Sequence, residues 1–141
     1  MRFWDSSAVI PLLVRESSSS KLTREHHDDP DLVVWWATSV ECISALARRE
    51  RDCMFDPGGL SQALDRLAEL ELAWAEVEPT SRIRAQAARL LRVHNLRAAD
   101  ALQLAAAMRA AEDQPGTLPL VTLDDRLILA AEREGFRIVG A

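Results

Sequence analysis

The chain has 141 residues and a mass of 15.7 kDa, a length typical of one domain, so we expect a single folding unit over residues 1–141. With 48% hydrophobic and 28% charged residues, the composition excludes a disordered chain, and no apolar run is long enough to cross a bilayer. The net charge of −5 argues against binding nucleic acid through the overall field of the protein. The first residues lack the layout of a secretory signal peptide, which predicts a cytoplasmic location.

The first half of the sequence alternates apolar runs with helical patterns. Its predicted elements are a strand at Phe3-Trp4, a helix over 8–14, a strand over 31–37 and a helix that begins at Thr38. In that last helix, Val40, Ile43 and Ala47 recur at helical spacing. The polar segment 16–31 has weak apolar periodicity, so a second, exposed helix is one interpretation of it.

The second half continues the alternation after a clear loop signal at residues 56–59. Its predicted elements are a helix from Leu60, a short half-exposed strand over 73–78, helices over 80–95 and 98–112, a strand over 118–121, a helix over 127–134 and a strand over 136–139. Alternating strands and helices predict an α/β fold with a mainly parallel sheet of four to five strands and helices on both faces. In such a sheet the turns from strand to helix lie along one edge, where we expect the functional site.

The helix over 80–95 has an apolar side and a cationic side. Arg82, Arg89 and Arg92 fall within a narrow arc opposite the apolar stripe, and Arg97 follows the helix. Residues 80–99 contain five arginines and no acidic residue. This local charge can hold a polyanion, although a solvated helix face explains it equally well.

Four acidic residues lie at the starts of predicted helices: Asp5, Glu41, Asp100 and Asp124. Each has an ordinary structural explanation as well. Asp5 can cap its helix, Thr38-x-x-Glu41 and Thr122-x-x-Asp125 have the form of capping boxes, and Asp100 can stabilise a helix N-terminus.

The coincidence of these acids at one sheet edge favours a second explanation. Carboxylates that lie close together repel unless a cation compensates them or they are protonated. No histidine or cysteine is placed beside them, and an all-oxygen site selects Mg²⁺, with Mn²⁺ as the alternative, over Zn²⁺. Such an ion can activate water for an in-line displacement at phosphorus, a reaction that needs no serine or cysteine nucleophile.

The chain resembles PIN-domain ribonucleases, in particular the VapC-like toxins of bacterial toxin–antitoxin pairs. The resemblance covers nearly the whole length and rests on the order and spacing of four short motifs. These are FWDSSA at 3–8, VECISAL at 40–46, ADALQLA at 99–105 and VTLDDRL at 121–127.

The resemblance implies a three-layer α/β/α fold in which Asp5, Glu41, Asp100 and Asp124 occupy the family's metal-binding positions. It also places Ser6 and Thr122 beside the metal, where they would orient its ligands. Asp125 is the alternative fourth acid; we prefer Asp124 for the metal and leave Asp125 to cap the helix. The family's activity implies RNA cleavage with Mg²⁺ or Mn²⁺, a homodimer, and inhibition by an antitoxin protein.

Two other functions are kept open at this point. The chain can be a PIN-like module that binds RNA or an antitoxin with little turnover. An aspartyl phosphatase or phospho-acceptor domain would also place Asp5 after the first strand, but it needs a lysine at a later strand end. The only lysine is Lys21, in the polar segment, and a phosphatase would have a second aspartate where Ser7 stands.

Overall fold

The computed structural model describes residues 1–141, which form five strands and seven α-helices. The strands are β1 (Arg2–Trp4), β2 (Leu32–Trp35), β3 (Ala75–Val77), β4 (Leu120–Val121) and β5 (Ile138–Val139). The helices are α1 (Ser6–Leu13), α2 (Ser19–Asp28), α3 (Thr38–Arg51), α4 (Gly59–Ala73), α5 (Ser81–Val93), α6 (Ala98–Ala110) and α7 (Asp125–Arg133). The predicted alternation of strands and helices is confirmed, and the polar segment that the sequence left open contains α2.

All five strands run parallel in one sheet with the order β3-β2-β1-β4-β5. In the centre of the sheet, Phe3 of β1 pairs with Val33 of β2 on one side and with Leu120 of β4 on the other. Each parallel connection requires a crossover, and helices supply every one of them. The carboxyl ends of the strands therefore lie at one edge, as the sequence predicts.

The sheet separates two hydrophobic cores because successive strand residues face opposite sides. Phe3 and Leu120 belong to the core shared with α5, α6 and α7. Their neighbours Trp4 and Val121 belong to the core shared with α1, α2, α3 and α4. This arrangement is the predicted three-layer α/β/α architecture. None of the helices combines the length and hydropathy needed to span a bilayer.

The apolar spacing that predicts α3 does not mark its buried face. Val40 and Ile43 are 68% and 42% exposed, whereas Thr38, Cys42 and Leu46 are buried. The buried residues follow i, i+4, i+8, a second helical stripe that packs against α1 and α4. The helix itself is confirmed, but its orientation differs from the one that Val40 and Ile43 suggest.

We expect Leu104→Ala to lower the free energy of unfolding by about 2–5 kcal/mol, because Leu104 is fully buried in α6 and its loss leaves a cavity. The matched control is Leu72→Ala on α4, where the side chain is 91% exposed and the change should stay within about 0.5 kcal/mol. Urea denaturation measures both values. Equal effects of the two substitutions would contradict the assignment of the core.

Candidate active site

The four acids predicted from the sequence all lie at the carboxyl edge of the sheet. Asp5 follows β1 directly and caps α1, Glu41 lies in the first turn of α3, and Asp100 lies in the first turn of α6. Asp124 follows β4 by two residues and caps α7. Asp5, Glu41 and Asp100 interact electrostatically with one another, and Asp100 also interacts with Asp124.

Asp5 is buried and held by hydroxyl groups. Its Oδ2 accepts hydrogen bonds from Ser7 Oγ at 2.5 Å and from Thr122 Oγ1 at 2.9 Å, and the Ser7 backbone N–H donates at 3.3 Å. Burial raises the pKa of Asp5, the bonds from Ser7 and Thr122 lower it, and the charge of Asp100 raises it again. The net effect is a raised pKa, so ionisation of Asp5 is less favourable than in water, and a nearby cation would favour it.

Ser7 holds Asp5 more closely than Ser6 does. Ser6 Oγ lies 3.5 Å from Asp5 Oδ1, whereas Ser7 Oγ both donates to Asp5 Oδ2 and accepts from the Leu123 N–H at 3.0 Å. The sequence predicts a role for Ser6 but none for Ser7. An aspartate N-cap followed by serine two positions later is the local signal for this turn, since the cap oxygen accepts from that residue's N–H.

Glu41 is held by a buried amide that the sequence analysis also missed. Gln103 is 1% exposed, and its Nε2 donates to Glu41 Oε2 at 2.7 Å and to Thr38 Oγ1 at 3.0 Å. Gln103 lies three residues after Asp100, so α6 places both residues on one face. The available signal was a lone amide within the alanine-rich stretch of a buried helix, because a buried amide needs partners.

The pKa of Glu41 is raised to about 7. Burial is the largest cause, the hydrogen bond from Gln103 opposes it, and the charges of Asp5 and Asp100 add to it. The capping box between Thr38 and Glu41 is not formed: Ala37 is the N-cap of α3, and no side chain caps the helix. The Thr38 hydroxyl instead accepts from Gln103.

Asp124, not Asp125, caps α7. Asp124 Oδ1 accepts from the Leu127 N–H at 2.9 Å, which is the bond that an N-cap residue makes to the third residue of its helix. Our expectation that Asp125 is the cap is therefore wrong by one residue. Asp124 nevertheless remains a charge neighbour of Asp100.

Asp100 is half-buried at the wall of an open cavity of about 490 Å³. The charged residues around this cavity are Arg97, Asp100, Asp124, Asp125 and Arg126. Burial raises the pKa of Asp100, and so does the charge of Asp124, while the charges of Arg97 and Arg126 lower it. The net pKa is raised, as for Asp5 and Glu41.

The carboxylates are close enough to repel but do not form a preassembled metal cage. No group of three or more His, Cys, Asp or Glu side chains is positioned to hold one metal ion. Each of Asp5, Glu41 and Asp124 has one oxygen bonded to protein donors, and the other accepts no bond shorter than 3.5 Å. The donor set is all oxygen and without a compensating cation within ion-pair distance, which is the chemistry that suits a hard divalent ion.

The arginines of the predicted cationic helix face differ in their surroundings. Arg82 forms an ion pair with Asp113 at 3.3 Å, and Arg89 pairs with Glu134 at 2.5 Å. Arg92 and Arg97 form no ion pair within 4.0 Å. The face therefore carries less free positive charge than its sequence suggests.

His94 is buried and makes no contact with the four acids of the sheet edge. Its Nε2 lies 3.0 Å from Glu134 Oε2, and Arg89 bonds the other oxygen of the same carboxylate. Partial burial raises the pKa of Glu134, but the bonds from His94 and Arg89 outweigh it and leave that pKa lowered. This cluster joins the ends of α5 and α7.

Comparison with known proteins gives one family and a shared fold. The family model described as PIN domain matches residues 2–133. PAE2754 from Pyrobaculum aerophilum superposes with a TM-score of 0.67 and 20% sequence identity, over 98% of this chain and 88% of that one. FitAcB from Neisseria gonorrhoeae superposes with a TM-score of 0.66 and 15% identity, over 98% of this chain and 96% of that one. No curated protein matches the sequence significantly.

We expect the substitution Glu41→Gln to remove a pH dependence of the free energy of unfolding, measured in the presence of a chelator. In the wild type the folded pKa of about 7 exceeds the ordinary 4.5, so the folded state keeps a proton that the unfolded state loses, and stability falls as pH rises from 4.5 to 7. The neutral variant lacks this fall. Between pH 4.5 and 8, the free energy of unfolding of the variant should rise relative to that of the wild type by on the order of 1–2 kcal/mol, after allowance for the partial exposure of Glu41.

Urea denaturation at both pH values measures the difference. Gln62→Glu on exposed α4 is the control for the effect of a carboxylate in a solvated position, and it should show no such window. A constant difference between wild type and Glu41→Gln at the two pH values would rule out the raised pKa.

Proposed function

The chain belongs to the PIN-domain family, a family of nucleases, and we propose that it is a metal-dependent endoribonuclease. We further propose that it is the toxin of a toxin–antitoxin pair and hydrolyses phosphodiester bonds of RNA. The residues that we assign to metal binding are Asp5, Glu41, Asp100 and Asp124.

The observation that carries this proposal is the mutual electrostatic interaction of Asp5, Glu41 and Asp100, each with a raised pKa. A protein that only needed helix caps at these positions would gain nothing from placing them together, because the repulsion costs stability. A divalent cation bound between them would lower these pKa values and so favour the ionised carboxylates. Support for the all-oxygen ligand set comes also from the position of His94, which is engaged with Glu134 instead.

In the proposed reaction, bound Mg²⁺ or Mn²⁺ would activate a water and stabilise the charge that develops at phosphorus. The protein's own residues orient the ligands. Ser7 and Thr122 fix one oxygen of Asp5 and leave the other available, and Gln103 does the same for Glu41. The sheet edge thus presents carboxylate oxygens whose directions are set by neighbouring donors.

The structure offers little support for a phosphatase or phospho-acceptor function. Such a site needs a lysine near Asp5, but the Lys21 ammonium donates to the Ala141 carbonyl at 2.8 Å, at the C-terminal end of the chain. Position 7 is a serine that bonds Asp5 and does not supply a second carboxylate. The remaining alternative is a PIN-like module that binds RNA without turnover. Binding of RNA by the wild type without any cleavage would identify it.

The proposed partners are RNA, an antitoxin protein and a second copy of the chain. The resemblance supports all three, and one surface feature supports a protein partner. Three apolar side chains within residues 36–43, the segment that carries Glu41, are exposed: Trp36 at 51%, Val40 at 68% and Ile43 at 42%. Exposed apolar side chains that adjoin one another commonly mark a protein interface.

We expect Asp100→Asn to lower RNA cleavage by at least about 100-fold while the protein stays folded, because the amide removes a metal ligand and also relieves repulsion. Cleavage of a mixed-sequence RNA is measured with Mg²⁺, with Mn²⁺ and with chelator. The wild type should cleave with either ion and lose activity in chelator.

Asp65→Asn is the matched control, since Asp65 is exposed on α4 and makes no ion pair. It should cleave like the wild type. Undiminished cleavage by Asp100→Asn, or full activity of the wild type in chelator, would exclude the proposed chemistry.

We expect Gln103→Leu to weaken metal binding about 10–100-fold, the usual effect of removing a residue that orients a metal ligand. Leucine fills the buried site but leaves Glu41 Oε2 and the Thr38 hydroxyl without their donor. Mn²⁺ titration by calorimetry and the Mn²⁺ concentration for half-maximal cleavage both report the change. Gln62→Leu on exposed α4 is the control, and the same Mn²⁺ affinity in both variants would show that Gln103 only fills space.

A further inference from the structure

Two arginines flank the acids at the sheet edge. Arg97 precedes α6 and is its N-cap residue, and Arg126 lies in the first turn of α7. Each therefore stands beside an acid of the proposed site, Arg97 near Asp100 and Arg126 near Asp124. The sequence groups Arg97 with the cationic side of α5 and predicts no role for Arg126.

Both arginines line the same open cavity as Asp100 and Asp124, which has a volume of about 490 Å³. Both side chains are exposed, and neither forms an ion pair within 4.0 Å or a side-chain hydrogen bond. They are nevertheless close enough to Asp100 for their charge to act on it. The guanidinium groups thus lie at the edge of the acidic site, and their N–H donors have no partner in the protein.

This contrasts with the arginines of the chain that are already occupied. Arg2 pairs with Glu25, Arg82 with Asp113 and Arg89 with Glu134. An arginine in an ion pair has to give up that partner before it can bind a ligand, whereas Arg97 and Arg126 do not. Their planar forks match the geometry of a phosphate, to which arginine donates two parallel hydrogen bonds.

The lining of the cavity carries the carboxylates of Asp100, Asp124 and Asp125 beside the two arginines. The N-termini of α6 and α7 adjoin the cavity, and the helix dipole favours anions there, although Asp124 already accepts the Leu127 N–H of α7. An anionic ligand that reaches the acids therefore needs contact with the arginines to offset the repulsion. A phosphodiester backbone satisfies this requirement because it places one phosphate at the reacting centre and another a nucleotide away.

We propose that Arg97 and Arg126 form a clamp that binds the backbone phosphate adjacent to the one that is cleaved. This inference rests on the proposed function. It names the residues whose positive charge would offset the repulsion between the acids and a polyanion. The clamp contacts phosphate and sugar only, so it contributes affinity and register without base selectivity.

The experiment measures binding separately from cleavage. A labelled single-stranded RNA is titrated in Mg²⁺ against Asp100→Asn protein, with and without Arg97→Gln and Arg126→Gln. We expect the double glutamine substitution to raise Kd by at least about tenfold and to reduce the slope of log K against log salt by about 0.7, the value for one lost phosphate contact on a single strand. The double variant Arg97→Lys with Arg126→Lys keeps the positive charges but loses the planar guanidinium groups. Its Kd should lie between that of the parent Asp100→Asn protein and that of the double glutamine variant.

The matched control removes the same charge elsewhere. Arg24 on α2 and Arg51 on α3 are exposed and form no ion pair, so Arg24→Gln with Arg51→Gln should change Kd less than about threefold. Equal weakening by both pairs would show a general charge effect and overturn the clamp. An unchanged Kd in the clamp variant, or no RNA binding by any protein, would overturn it as well.

Failure of the proposed function gives a different result. If the wild type binds RNA through the clamp but never cleaves it, the binding difference between the variants persists while every cleavage assay is negative. In a cleaving protein, the clamp substitutions should raise KM more than they lower kcat, because the clamp binds substrate and transition state alike. A fall in kcat alone would contradict the assignment.

Discussion

The repulsion among carboxylates at one edge of the sheet is the constraint around which the rest of the site is arranged. Asp5 is buried, Glu41 and Asp100 are partly buried, and no arginine or lysine neutralises them by direct contact. Hydrogen bonds from neutral donors hold these carboxylates in place, whereas elsewhere in the chain ion pairs hold carboxylates. Ser7 and Thr122 bond Asp5, and Gln103 bonds Glu41. Neutral donors orient a carboxylate without cancelling its charge.

The geometry of the edge depends on both helical layers at once. Asp5 and Glu41 come from the layer of α1 to α4, whereas Asp100 and Asp124 come from the layer of α6 and α7. Two contacts connect the layers at the end of the sheet: Thr122 bonds Asp5 across β4 and β1, and Gln103 bonds Thr38 and Glu41 from α6 to α3. Each pair is separated by more than 60 positions in the sequence. Loss of packing on either face would therefore move one half of the acid set relative to the other.

The same separation explains which features the sequence predicts and which it does not. Hydrophobic periodicity and helix start signals are local, so the strands, helices and the four acids are readable from single segments. The partners of Ser7 and Gln103 are distant in sequence. The local signals, a serine two positions after an N-cap aspartate and a lone amide in an alanine-rich helix, indicate a turn and a buried amide but not which residues they bond. The orientation of α3 was unreadable for a related reason. Two apolar stripes compete on it, and only packing against α1 and α4 selects the one that contains Cys42 and Leu46.

At Asp5 and Asp124, a role as helix cap and a role in the proposed acidic site are compatible. Each caps a helix through one oxygen, Asp5 through Oδ2 and Asp124 through Oδ1, and the other oxygen of each remains without a strong donor. The cap fixes the carboxylate at a helix N-terminus, whose dipole favours negative charge and so offsets part of the repulsion. A cap of this kind anchors a carboxylate at little cost in stability. Asparagine caps helices as well as aspartate does, so the cap explains an acceptor oxygen at these positions but not the negative charge.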